Sequence, residues 1–242
     1  MIPYFETSML STAYFPPVEY FYAVAHSGRV LIEQHENYQK QSWRNRCRIL
    51  SAGGPEDLSI PVVKEERRSR PIRDIRIDHG EPWLQHHVRA LSAAYNASAF
   101  YEYYADELIP LLEKRPAFLF DLNMSLLEKL LSLVGLTASI SLTDHYLVSG
   151  SDVRVFDGRT RIQPKYRGRS LLSEYGCEKP YYQVFVNKDP SSAVMSGPES
   201  RLPSLSLPQR TPPAPDGVRF IPNLSIIDLL SAEGPSAISF LS

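Results

Sequence analysis

Cysteine is scarce in this chain. Cys47 and Cys177 are the only two in 242 residues, too few for a disulfide framework. Free thiols in a reducing compartment are the simpler expectation. A surplus of either charge is lacking too. Lysine and arginine number 26 against 27 aspartates and glutamates, a net charge of -1. That balance argues against a nucleic-acid partner, which calls for a basic face. No stretch approaches the roughly 20 apolar residues of a membrane helix. The first residues, Met1-Ile2-Pro3-Tyr4-Phe5-Glu6, show no cationic region followed by an apolar one, so no secretory leader is expected. The expected location is cytoplasmic. Glycine-rich phosphate loops and Cys/His clusters at zinc spacing are missing as well, and neither metal nor cofactor is expected.

What is present reads as one large globular domain, with 43% hydrophobic and 22% charged residues. Residues 9–14 read as a buried strand, which Phe15-Pro16-Pro17 breaks. Tyr20, Phe21, Val24 and Ala25 then recur at helical spacing up to Ser27-Gly28, and 29–33 is a second strand. A strand, helix and strand in that order predict a parallel pair. Ligands of such sheets gather beyond the carboxyl ends of the strands, here Tyr14-Phe15 and Glu33-Gln34-His35. Residues 46–50 and 58–63, around Ser51-Ala52-Gly53-Gly54-Pro55, predict a hairpin with Pro61 marking an edge or a strand end. The charged run 64–70 reads as a mobile loop, and Ile72, Ile75 and Ile77 as a further strand.

From Pro82 the period becomes helical. Trp83, His87, Leu91 and Ala94 share one stripe, and further helices are expected over 101–114 and 117–134. A strand over 138–142 follows. Residues 147–180 show no period, Tyr181 to Phe185 reads as a short strand or turn, and a final helix begins at Ser225. The expected class is α/β: a mixed sheet opening with a βαβ unit, a β-hairpin, a largely helical segment and a C-terminal helix. Residues 1–186 and 218–242 would form the domain. Residues 187–217, rich in proline and serine, would be a disordered or extended insertion.

The densest polar stretch is 35–49. Arg44, Arg46 and Arg48 alternate with Asn45, Cys47 and Ile49, so an extended segment would turn three guanidinium groups to one face and Cys47 to the core. Guanidinium forks suit phosphate and carboxylate. A solvated strand face is the plainer reading, but His35, Glu36, Asn37, Gln41 and Asn45 are poor solubilisers. His87 is the first candidate for a general base, and His35 with Glu36 the second. Arg44, Asn45, Arg46 and Arg48 would hold an anionic group or a developing oxyanion. Tyr38 and Gln41 would orient it, and Tyr14 and Trp83 would border the same pocket. Cys47, facing away from the arginines, is a poor nucleophile.

Three ordered blocks carry a family resemblance: Tyr14-Phe15-Pro16-Pro17 with Tyr20-Phe21; Gln41 to Ile49 running on to Gly54-Pro55 and Leu58-Ser59-Ile60-Pro61-Val62; and Phe220-Ile221-Pro222-Asn223-Leu224 through Leu230, followed by Gly234-Pro235. Together they resemble the WbqC-like family of bacterial proteins. Thr12-Ala13 stand where that family often has Gln-Pro, and Cys47 where it often has Asn. Members occur with genes for O-antigen and other surface polysaccharides, and attachment of glycine to an amino sugar has been suggested for some. The resemblance therefore implies a cytoplasmic transferase that holds an anionic substrate, a nucleotide sugar, against Arg44, Arg46 and Arg48. His87 or His35 would deprotonate an acceptor amine. The alternative is a non-catalytic module that binds a nucleotide sugar, or a protein partner through 187–217.

Overall fold

Residues 4–64, 70–148, 155–186 and 220–241 are described by the computed structural model. The expectations for the loop at 64–70 and the insertion at 187–217 fall largely or wholly outside them.

Two apolar runs start the fold. Strand β1 (Phe5–Ser11) and strand β2 (Ser27–Glu33) pair in parallel, with Met9 opposite Leu31 and Leu10 opposite Ile32. Helix α1 (Val18–Ala25) makes the crossover. Its residues Val18 to Val24 are all buried, so it runs through the interior instead of lying on the surface. The Pro16-Pro17 pair sets its start, because proline removes donors that the first turn leaves unpaired in any case. Strand β3 (Arg46–Ser51) and strand β4 (Gly54–Ser59) form the antiparallel hairpin around a turn at 52–53, so the second strand starts four residues before the expected 58. Gly54, which opens it, has a φ of 106° that suits a residue without a side chain. Cys47, Ile49 and Leu58 face inward, and Arg46, Arg48 and Asp57 outward.

Helix α2 (Trp83–Tyr95) packs against β3, followed by α3 (Tyr101–Glu113) and α4 (Leu119–Val134). The leucine stripe of α4 is core, as its period requires: Leu119, Leu122, Leu126, Leu127 and Leu130 are at most 2% exposed. Strand β5 (Ile140–Leu142) and strand β6 (Val155–Asp157) add to opposite edges of the first sheet. Its order is β5-β2-β1-β6, with every pair parallel. The parallel and antiparallel pairings thus fall in two sheets. A short helix, α5 (Leu171–Glu174), packs on α1. Helix α6 (Ile226–Glu233), with a 3-10 turn over Gly234–Phe240, closes the described chain.

One expected strand is not formed. Ile72–Asp74 is a 3-10 turn after Pro71, and single bridges join Val62 to Ile77 and Arg76 to Phe118. Ile72, Ile75 and Ile77 are buried all the same. The spacing reported burial correctly, but no neighbouring strand runs alongside to complete a ladder. Of the two alternatives expected for Tyr181 to Phe185, a short strand or a turn, the turn is found, over 184–186.

The segment before α6 ties the two sheets together. Ser225 N–H donates to the Arg48 carbonyl at 2.8 Å, Ile226 N–H to Pro16 at 2.9 Å, and Val18 N–H to Leu224 at 2.9 Å. Tyr14 N–H donates to the Trp43 carbonyl at 2.8 Å. Close by, the Gln183 side-chain amide donates to the Ile221 carbonyl at 2.9 Å and accepts from the Ile221 N–H at 3.0 Å. Leu50, Val186 and Leu224 form a small apolar cluster beside that pair.

Candidate functional site

All four strands of the parallel sheet end at one side of the molecule, and a crevice of about 440 Å³ lies there. Its walls include His35, Glu36, Arg44, Asp157 and Arg159, with Tyr146 at the rim, 53% exposed. The parallel arrangement creates the place: successive strands deliver their terminal side chains to a common edge.

The walls are built from ion pairs with little water access. Glu36 and Arg44 are 5% and 1% exposed. Arg44 Nε donates to Glu36 Oε1 at 2.8 Å and Arg44 Nη2 to Glu36 Oε2, a two-point fork. Arg44 Nη2 also donates to Ser11 Oγ at 2.8 Å, which fixes the pair to the end of β1. The Asn123 amide on α4 donates to the Arg44 carbonyl at 2.7 Å. On the other wall Arg159 forks onto Asp157, with Nε to Oδ1 at 3.0 Å and Nη2 to Oδ2 at 2.7 Å. Its Nη1 donates to the Leu147 carbonyl at 2.7 Å and to Glu33 Oε2 at 3.3 Å.

Glu33, fully buried at the end of β2, accepts also from Thr143 Oγ1 at 2.8 Å, His35 N–H at 2.9 Å and Leu147 N–H at 2.9 Å. Such a carboxylate is tolerable only because its oxygens are this well supplied with donors. It fastens β2, the residues after β5 and the residues after β6 to one anchor. His35 Nε2 donates to the Thr143 carbonyl at 3.0 Å, which selects the tautomer and leaves Nδ1 as the ring's acceptor.

The remaining sequence candidates lie elsewhere. His87 is 1% exposed and off the crevice walls, with Nδ1 2.9 Å from Tyr14 Oη and its ring edge-on to Trp83 at 5.2 Å. Burial, helped by neighbouring His86, pushes its imidazole down to about 4. Tyr14, His87 and Trp83 are thus a packed cluster joining the β1–α1 loop to α2. Asn45 is buried and donates to the Ile60 carbonyl at 2.9 Å. Gln41 is exposed, with φ 57°, and Tyr38 N–H donates to the Arg70 carbonyl at 3.0 Å.

The three arginines do not share a face. Strand β3 begins only at Arg46, so Arg44 sits in the preceding turn and points to the crevice. Arg46 Nη1 reaches Asp57 Oδ2 at 3.2 Å, while Arg48 forks onto the same carboxylate at 2.7 and 3.1 Å. Cys47 faces the core as alternation requires; burial and the Asp57 charge push its thiol well up.

Sequence reasoning missed Glu33 as an anchor, and Asp157 and Arg159 altogether. The Asp-x-Arg spacing behind Val155-Phe156 was the available signal, within a segment that offered no period.

A profile of the WbqC-like protein family matches residues 12–240. The chain belongs to the WbqC-like family. The uncharacterized protein Rv1507c of Mycobacterium tuberculosis is 32% identical to this WbqC-like chain over 171 residues, 70% of this chain and 71% of that protein. No solved structure matches. The family match spans both the crevice and the hairpin, so both belong to the WbqC-like fold. Among the described residues no helix is long and apolar enough to cross a membrane.

Proposed function

We propose that this WbqC-like protein is a cytoplasmic transferase of surface-polysaccharide biosynthesis that moves an aminoacyl group, such as glycyl, onto the amine of an amino sugar. The amino sugar occupies the crevice. The observation that carries this reading is the composition of its walls, where Glu36 and Asp157 balance Arg44 and Arg159 beside His35, Asn37, Gln39 and Thr160. Both guanidinium groups are already forked onto carboxylates. The hydroxyl and amine groups of a neutral, hydroxyl-rich ligand can pair with the mixed donors and acceptors of such walls.

His35 is the general base. With Nε2 held by the Thr143 carbonyl, Nδ1 accepts the proton released as the amine nitrogen bonds to the acyl carbon. The bond from that carbon to the donor's oxygen or sulfur breaks, and His35 returns the proton to the leaving group. Glu36 and Glu33 act through others: one holds Arg44, the other the His35 backbone and Arg159. Tyr146 offers an exposed ring at the rim for a sugar face.

The test is transfer itself. Full-length protein is incubated with a nucleotide-linked amino sugar and an activated glycyl donor, and the sugar is read by mass spectrometry. Wild type adds one glycyl group. His35→Ala keeps the sugar-induced rise in melting temperature but loses transfer by about 10²-fold or more. Absence of both binding and transfer in the wild type rejects the reading.

A further inference from the structure

Arg159 and Arg161 stand two residues apart in one tight turn, yet serve different hollows. Gly158 N–H donates to the Met9 carbonyl at 2.9 Å, and Ile162 N–H to Gly158 at 2.8 Å, closing that turn behind β6. Arg159 faces the crevice. Arg161 lines a second hollow of about 260 Å³, walled also by Glu19, Trp43, Arg48, Tyr166 and Asn223. The two hollows share the 159–163 wall, and Gln163 on its far side touches Gln39 of the crevice at 3.4 Å. Helix α1 through Glu19, the hairpin through Arg48 and Pro55, and the 221–223 segment all converge on the second hollow.

Its chemistry is one of donors. Arg48 spends Nε and Nη2 on Asp57, which fixes the guanidinium 5.6 Å from the Trp43 ring and leaves Nη1 over. Arg161 is paired through Nη2 with Glu174 and lies 5.9 Å from the Tyr166 ring. Arg161 Nε and Trp43 Nε1 are both buried donors without a partner, and both belong to residues of this one hollow. Folded proteins seldom leave a buried N–H unmatched. The acidic group on the wall is subdued: burial pushes the Glu19 carboxyl up, and it already accepts from Leu171 N–H at 3.2 Å.

We propose that this second hollow is a phosphoryl-binding subsite, in which Arg48 and Arg161 receive the diphosphate of a nucleoside diphosphate. It deepens the reading above, on which it rests for the identity of the attached sugar: the nucleotide end would sit on one side of the 159–163 wall and the amino sugar on the other. The subsite accounts for fixed guanidinium donors beside two aromatic rings, and it moves the anion expected against Arg44, Arg46 and Arg48 to Arg48 and Arg161.

Isothermal calorimetry with uridine diphosphate and with inorganic pyrophosphate, on the full chain, tests it. Both probes bind the wild type, and binding weakens as sodium chloride is raised. Arg48→Gln and Arg161→Gln each weaken both probes about tenfold or more, whereas His35→Ala binds them as the wild type does. Should Arg161→Gln fail to fold, Arg161→Lys keeps the charge, loses the fork, and still weakens binding. The subsite is overturned if neither probe binds, or if both arginine variants bind normally. It is overturned equally if His35→Ala alone loses binding, which moves the anion to the crevice, or if only the uridine compound binds, which makes the base the recognised part. Failure of the crevice reading looks different: phosphate binding intact, and no glycyl transfer.

Discussion

Arg44 and Arg48 are four residues apart and each is forked onto one carboxylate, yet they live in different solvents. Arg44 with Glu36 is sealed into the end of the parallel sheet, side chains 2% and 6% exposed. Arg48 with Asp57 lies on the outer face of the hairpin, 39% and 26% exposed. Water still screens the second pair, so losing it changes little. Nothing screens the first, and either partner alone would be a bare charge in a poorly polarisable interior. The lesson is that a buried pair fixes geometry: it holds the crevice wall in a single arrangement because each partner has nowhere else to go.

The contrast breaks if the two pairs respond alike. Glu36→Ala strands Arg44 and should destabilise the protein by about 3–5 kcal/mol, read from urea unfolding at pH 7. A loss below 1 kcal/mol would put this pair in the same class as the exposed one. His87 sharpens the point, because it escapes burying a charge by staying neutral. Its imidazole is held at about 4 against an ordinary 6.5, so between those values the unfolded chain takes up the proton first. This contribution is complete above pH 6.5 and is lost as pH falls towards 4, on the order of 3 kcal/mol in all. His87→Gln should flatten that part of the stability curve; an unaltered slope would assign it to other groups.

Gly158 probes packing on the crevice side without touching charge. A Cβ there would come within 2.5 Å of Leu10 and 2.9 Å of Phe156, so Gly158→Ala should lower stability by about 1–3 kcal/mol. A melting point equal to that of the wild type would show the wall to be softer than its contacts imply. On the hairpin, Asp57→Asn is the mildest change, under about 1 kcal/mol. A larger loss would mean that Asp57 holds more than two surface arginines.

Much of this was written in the chain, and the part that was not has identifiable causes. The βαβ opening was legible because β1 and β2 carry short apolar runs, Met9-Leu10 and Val30-Leu31-Ile32, on either side of a helical pattern. The α4 stripe was legible because burial along that helix follows a period of 3.6. The crevice was half legible. Glu33-Gln34-His35-Glu36 follow directly from where β2 ends. The arginine row misled because alternation holds only inside a strand, and the chain does not become extended until Arg46. Ile72, Ile75 and Ile77 misled in another way, since a 3-10 turn with isolated bridges buries the same residues a strand would. Asp157 and Arg159 had only their Asp-x-Arg spacing to mark them. Asp157 ends a three-residue strand and Arg159 follows it, and the place of that strand is set by long-range pairing with β1.

The Gln183–Ile221 amide pair copies, with a side chain, the two-way bonding of neighbouring strands. It clamps together the two points between which residues 187–219 depart and return. That joins Gln183, beyond α5, directly to the segment that leads into α6. Two amide bonds through one side chain thus do the work of a short ladder, and a clasp of that kind fixes the distance between two points of the chain that lie 38 residues apart.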